Sequence, residues 1–176
     1  RNCTSLGSKL GCKEDIERRC NLANNAFRKY KTVWEQGPRT SLDTRLRIYE
    51  AQVVSVLLYN CSSWAVPKQT LNSLDVCHRK HLRNILNIRF PICISNKTLY
   101  KRCNTAPLSE RVSRARWKMF GHILRSQTNA PAMMALKFAV SCDMRGRRGR
   151  HQTNLFSVLK CDPVSYTHLT LPTNCV

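Results

Sequence analysis

The stretch DIERRCNLANNAFRKYKTVW, Asp15 to Trp34, decides the fold class. Its apolar residues Ile16, Cys20, Ala23, Phe27, Tyr30 and Trp34 are spaced four, three, four, three, four, which puts them on one face of a helix. Gly37-Pro38 ends that segment. The same period returns beyond it. Ser41 suits a helix N-cap, with Asp43 in the first turn where the helix dipole favours a carboxylate. Leu42, Leu46, Tyr49, Val53 and Val56 then form a stripe with Leu57 beside it. Pro67 fits the first turn of a third helix carrying Leu71, Leu74, His78, Leu82 and Ile85, which Pro91 closes. After a polar connection, Leu108, Val112, Ala115, Met119 and Ile123 make a fourth stripe. A short helix is expected from Ala132 to Phe138, and Thr153 caps a last one through Lys160. Thr4 to Leu6 is the one stretch that reads as a strand. The pattern predicts an all-α chain, a small helical bundle of four main helices with a flexible basic C-terminal extension.

The 176 residues are 42% hydrophobic, enough to bury a core. Thirty Lys and Arg against ten Asp and Glu give a formal net charge of +20. A compact chain this basic repels itself, and a polyanion offsets the charge. Nucleic acid is the leading partner, ahead of an anionic membrane surface. The charge is also uneven. From Lys101 to Arg150 there are twelve Lys or Arg against Glu110 and Asp143, which is +10 and half the total. Arg111, Arg114, Lys118 and Arg125 lie on the face of the fourth helix opposite its apolar stripe. Arg145-Gly146-Arg147-Arg148-Gly149-Arg150 cannot pack and reads as a flexible basic loop whose guanidiniums can follow a phosphate backbone. A solvated linker or an import signal would look the same. The predicted phosphate contacts are Arg111, Arg114, Arg116, Lys118, Arg125, Arg145, Arg147, Arg148 and Arg150.

Other chemistry is thin. Nucleotidyl transfer needs metal ions held by clustered carboxylates, and the chain has no Asp-Asp pair. The Glu14-Asp15-x-Glu17 group sits in a first helical turn, where dipole stabilisation accounts for it. Cys77-His78-x-x-His81 invites a zinc reading, yet a structural site needs two more ligands and no Cys-x-x-Cys occurs. Cys20, Cys61 and Cys77 read as small core residues. Neither a metal nor a cofactor is expected. Gly121 permits close helix packing and His122 donates a buried hydrogen bond. Trp117 and Phe120 offer stacking surfaces for bases, but their helical spacing, like that of Trp34 and Trp64, fits a core. Ten cysteines without a signal pattern or a bilayer-spanning apolar run point to reduced thiols in cytosol and nucleus.

The order of short motifs resembles the region that follows the polymerase core in non-LTR (LINE-type) retrotransposon reverse transcriptases of the RTE-like group. Leu6-Gly7-Ser8 resembles a Tyr-Leu-Gly-Ser hairpin that supports the primer end, with Ser5 in place of the Tyr. Asp15 to Arg19, then Ala26-Phe27 and Val33-Trp34, resemble the first thumb helix. Leu57-Leu58-Tyr59 with Ser63-Trp64 is similar to Leu-Leu-Tyr-Gly-Ser-Glu-Thr-Trp, without its Gly and Glu. His81 to Ile88 is similar to a Leu-Arg-x-Ile-Leu-x-Ile helix, and Phe120 to Arg125 to a Gly-His-hydrophobic-x-Arg element. Arg145 to Arg150 followed by Thr153 resembles an Arg-Gly-Arg-Pro-x-Thr-Trp close, with His151 and Leu155 at the Pro and Trp positions.

The resemblance implies a thumb-like helical region over 1–90 and a basic helical extension over 91–162. It implies a non-catalytic fragment that binds RNA or DNA and belongs beside an upstream polymerase domain carrying the catalytic Tyr-x-Asp-Asp. An element-derived host scaffold or interaction protein is the alternative. A restriction-like endonuclease would need clustered acids with a Lys. Residues 163–176 stand apart. Val164 to Thr173 can be written in codons as GTC TCT TAT ACA CAT CTG ACG CTG CCG ACG, which resembles a transposase end joined to sequencing adapter, so this artefactual tail is set aside from the fold.

Overall fold

The computed structural model describes residues 4–5, 8–9, 12–35, 40–141, 155, 158–159 and 162. Two-residue strands β1 (Thr4–Ser5) and β2 (Ser8–Lys9) pair antiparallel, Thr4 opposite Lys9 and Ser5 opposite Ser8. The helices follow: α1 (Cys12–Lys29), α2 (Lys31–Glu35), α3 (Leu42–Tyr49), α4 (Ser55–Leu57), α5 (Lys68–Ile85), α6 (Asn96–Arg102), α7 (Leu108–Leu124) and α8 (Pro131–Ser141). A π-turn at Glu50–Val54 joins α3 to α4, and a 3₁₀ turn at Cys61–Ser63 precedes α5. Apart from the small hairpin the described residues are all-α, as the periodicity predicts. Among the described residues no helix is long and apolar enough to cross a membrane.

The predicted helix over 16–34 is divided at Tyr30. The Phe27 carbonyl there accepts both the Tyr30 N–H at 3.2 Å and the Trp34 indole Nε1–H at 2.8 Å. Trp34 thereby turns inward and stacks on Phe27 with ring centroids 5.0 Å apart. Gly37-Pro38 lies outside the described residues. Ser41 caps α3 as expected, its Oγ accepting from the Thr44 N–H at 3.2 Å.

The next stripe is altered by the π-turn. Tyr49, Val53 and Leu57 are buried as predicted, but Val54 is buried as well and Val56 is only half-buried. A π-turn holds one residue more than an α-turn, so the regular period fails across it. The Ser55 N–H bonds the Glu50 carbonyl, and the Ser55 hydroxyl takes the Ala51 carbonyl this releases, at 2.5 Å.

The third stripe holds throughout, since Leu71, Leu74, His78, Leu82 and Ile85 are all buried. Pro67 stands one residue outside α5, at its N-cap position. The helix ends at Ile85 and is closed by Asn87, before Pro91. Asn87 is left-handed (φ 55°), and the Ile88 and Asn87 N–H groups return to the Arg83 and Asn84 carbonyls. That is a Schellman closure with Asn in the usual glycine position.

The segment expected to be a polar connection contains α6. Ser95 caps it, its Oγ accepting from the Thr98 N–H at 3.1 Å, and Leu99 is its one buried residue. α6 is too short to show a stripe.

One core spans both predicted parts of the chain. Leu99, Cys103, Leu108 and Val112 join Ile16, Phe27, Tyr49, Leu74 and Leu82 in a single cluster. Asp75 of α5 fastens the join, accepting the Ser109 backbone N–H at 3.1 Å and its hydroxyl at 2.6 Å. It serves as a remote cap for α7, whose own N-cap residue is Pro107. Trp64 at the heart of the other end donates to Asp15 at 3.1 Å, and Arg19 beside it reaches Ser8 of the hairpin at 3.2 Å. Leu155, Val158 and Leu159 are helical, in agreement with a short helix there, and the last two are buried.

Candidate nucleic-acid interface

α7 carries the predicted cations of the described region and sorts them by face. Leu108 and Val112 point into the core, while Arg114, Lys118, His122 and Arg125 are exposed. Their spacing of four, four and three makes one row, about 16 Å long at 1.5 Å per residue. Arg114 pairs with Glu110 one turn back at 3.3 Å. Among the described residues neither Lys118 nor Arg125 has a carboxylate partner. His122 was expected to donate a buried hydrogen bond; it is exposed and belongs to the row. Gly121 beside it is buried, in agreement with the packing role expected of it.

Arg116 is a correction. It is 0% exposed and cannot meet a phosphate in this structure. Its Nη1 donates to Asp162 at 3.2 Å and 3.5 Å, while Nε and Nη2 have no hydrogen-bond partner among the described residues. The signal was available in the sequence. Positions 108, 112 and 116 share one helix face, so the apolar stripe itself carried Arg116 inward. Arg111 is half-buried and engaged, both terminal nitrogens donating to the Glu50 carboxylate. Arg145, Arg147, Arg148 and Arg150 lie outside the described residues.

Below the row a groove of about 710 Å³ runs between α3 and the start of α7. Arg47, Arg102, Arg111 and Arg114 line it together with Asp43 and Glu50. Its cations are largely answered, since Asp43 takes Arg47 at 3.0 Å and Glu50 takes Arg111. Trp117 and Phe120 are half-buried and pack edge to face at 6.0 Å, so they are side walls of α7 more than free stacking platforms.

A second basic cleft, of about 330 Å³, opens between α1–α2 and the end of α5. Arg28, Lys31, Lys80 and Arg89 surround it, with Glu35, Asn24, Asn84, Asn87 and Trp34 also on its walls. Lys31 pairs with Glu35 at 3.7 Å, whereas Arg28, Lys80 and Arg89 are exposed and have no carboxylate partner among the described residues. Sequence reasoning missed this cluster, because only the fold brings positions 28, 80 and 89 together.

Between cleft and groove runs a buried polar chain. Tyr49 Oη lies 2.8 Å from His78 Nδ1 and 3.4 Å from His81 Nδ1, and His81 Nε2 lies 2.9 Å from Asn24 Oδ1. Phe27 stacks on His81 with centroids 4.2 Å apart. Burial pushes both histidines down to about 4, so each is neutral at pH 7. A neutral His81 donating through Nε2 to Asn24 keeps Nδ1 as an acceptor for Tyr49. Burial also raises the Tyr49 hydroxyl well above its ordinary value. Cys77, the other member of the zinc-like motif, shares a hydrogen bond with Cys20 and lies 3.6 Å from Asn24 Oδ1. Among the described residues no group of three His, Cys, Asp or Glu could hold a metal ion.

The fold and surface therefore define a small, strongly basic all-α chain with a cationic row and a cationic cleft. No protein-family model, no curated protein and no solved structure matches this chain.

Proposed function

We propose that this chain is a non-catalytic, nucleic-acid-binding C-terminal fragment of a non-LTR retrotransposon RNA-directed DNA polymerase. It grips RNA or DNA through the phosphate backbone. The observation that carries the reading is the exposed row Arg114, Lys118, His122 and Arg125 on a chain of net charge +20. Ion pairs already engage Asp15, Glu35, Asp43, Glu50, Glu110 and Asp162 within the fold, so little acid remains to answer that row. The order of hairpin, long helix and following helices supports the resemblance to a thumb and post-thumb region, and the upstream polymerase domain would be its natural neighbour. The missing Asp-Asp pair supports a binding role without polymerisation. Met134 and Phe138 of α8, 60% and 69% exposed, favour the second reading, an element-derived interaction protein.

Salt dependence tests the first reading. On duplex DNA the logarithm of affinity falls with the logarithm of salt by about 0.9 per phosphate neutralised. Arg114→Gln/Lys118→Gln/Arg125→Gln should flatten that slope by roughly 2 to 3 units, and Gln at Arg145, Arg147, Arg148 and Arg150 by roughly 3 to 4. Fluorescence anisotropy of a labelled duplex across a salt series reads both. Two unchanged slopes would defeat the proposal and leave the interaction-protein reading.

A further inference from the structure

The cleft beside α5 is built differently from the α7 row. A convex row tracks a backbone, whereas a concave site of about 330 Å³ admits a single small ligand. Arg28, Lys80 and Arg89 converge on it from three parts of the chain, and the lining carboxylate, Glu35, pairs with Lys31 at 3.7 Å, which leaves these three cations without a carboxylate partner among the described residues. Like charges gathered in a cleft repel one another, and its low-dielectric walls focus their field on whatever enters. An anion is the ligand that offsets this.

The remaining wall is not that of a site for phosphate alone. Asn84 and Asn87 each present an amide that donates and accepts, the complement of a base edge. Asn87 is held in place by the left-handed closure of α5, so its backbone position is fixed before any ligand arrives. Trp34 and Phe27, both largely buried, add an apolar lining. We propose that this cleft binds one nucleoside monophosphate unit, its phosphate on Arg28, Lys80 and Arg89 and its base against Asn84, Asn87 and Trp34. The unit is either a free nucleotide or one unit of a single strand. A duplex is too wide to enter. The site is separate from the α7 row, so either proposal can fail while the other stands.

The test uses the full chain. Isothermal titration with AMP, adenosine and inorganic phosphate, and anisotropy with labelled single-stranded dA₁₀, are run on wild type, Arg28→Gln/Lys80→Gln/Arg89→Gln, Asn84→Ala and the α7 triple Gln variant. All substituted side chains are exposed, and circular dichroism checks that each variant keeps its helices. AMP should bind wild type at least tenfold more tightly than adenosine or phosphate. The cleft triple variant should lose at least tenfold in AMP affinity. Asn84→Ala should weaken AMP and leave phosphate unchanged, and the α7 variant should bind AMP like wild type. If dA₁₀ weakens together with AMP in the cleft variant, the unit comes from a strand; if dA₁₀ is unchanged, it is a free nucleotide. No AMP binding, or AMP binding that ignores the cleft substitutions, overturns the proposal.

Discussion

α5 and α7 are nearly the same length, 18 and 17 residues, and they pack on each other and on the same core, yet they treat polar groups in opposite ways. α5 buries His78 and His81 as neutral rings, each with a hydrogen-bond partner. α7 sends its charges outward and buries one, Arg116, against a carboxylate 46 residues away. A neutral polar group can be kept inside by hydrogen bonding alone, and the penalty comes only when it must ionise. A buried charge needs a counter-charge as well. The core should therefore fail under acid at α5 and under substitution at α7.

The largest effect is expected at α7. Asp162→Asn leaves the Arg116 guanidinium buried without a counter-charge, which typically costs about 3–5 kcal/mol. Thermal melting followed by circular dichroism should show a fall of roughly 10 °C or more. A melting point within error of wild type would mean that burial of Arg116 does not depend on Asp162.

Acid separates the two helices next. His78 and His81 fall from 6.5 to about 4 on folding. The unfolded chain therefore binds more protons between those values, and stability is lost as pH drops through that window. Between pH 7 and pH 5 the loss is on the order of 2 kcal/mol per histidine, less than twice that for two rings sharing Tyr49. Urea melts at the two pH values measure it, and His81→Gln should flatten the dependence by about half. An equal loss in the variant would place the titration elsewhere.

The smallest effect sharpens the join between the helices. Asp75→Ala removes both bonds to Ser109 and uncaps α7, at a cost of about 1–2 kcal/mol. Hydrogen exchange should show the first turn of α7 losing protection before α5 does. Simultaneous loss in both would mean that they open as one unit.

The stripe of α5 was legible in the sequence because its helix is regular, so every residue of that stripe is buried, whereas its ends were not. α7 was half legible: its exposed cations follow from spacing, but Arg116 was taken by its chemistry and not by its position on the Leu108–Val112 face. α6 was missed, because seven residues with one buried leucine do not make a period. The cleft of Arg28, Lys80 and Arg89 was beyond any local pattern, since its members share a site only after α1 and α5 pack.

The π-turn at Glu50–Val54 has a consequence for how this chain tolerates changes of length. Such a turn is an α-helix that has absorbed one surplus residue while the segments on either side stay in phase. Removing Ala51, which faces solvent, would return the surplus and leave Tyr49 and Leu57 facing the core as before. An ordinary helical position has no such slack, because one lost residue there rotates everything downstream by about 100°. This five-residue turn is thus a spare link, where the reading frame of the core and the length of the chain are uncoupled.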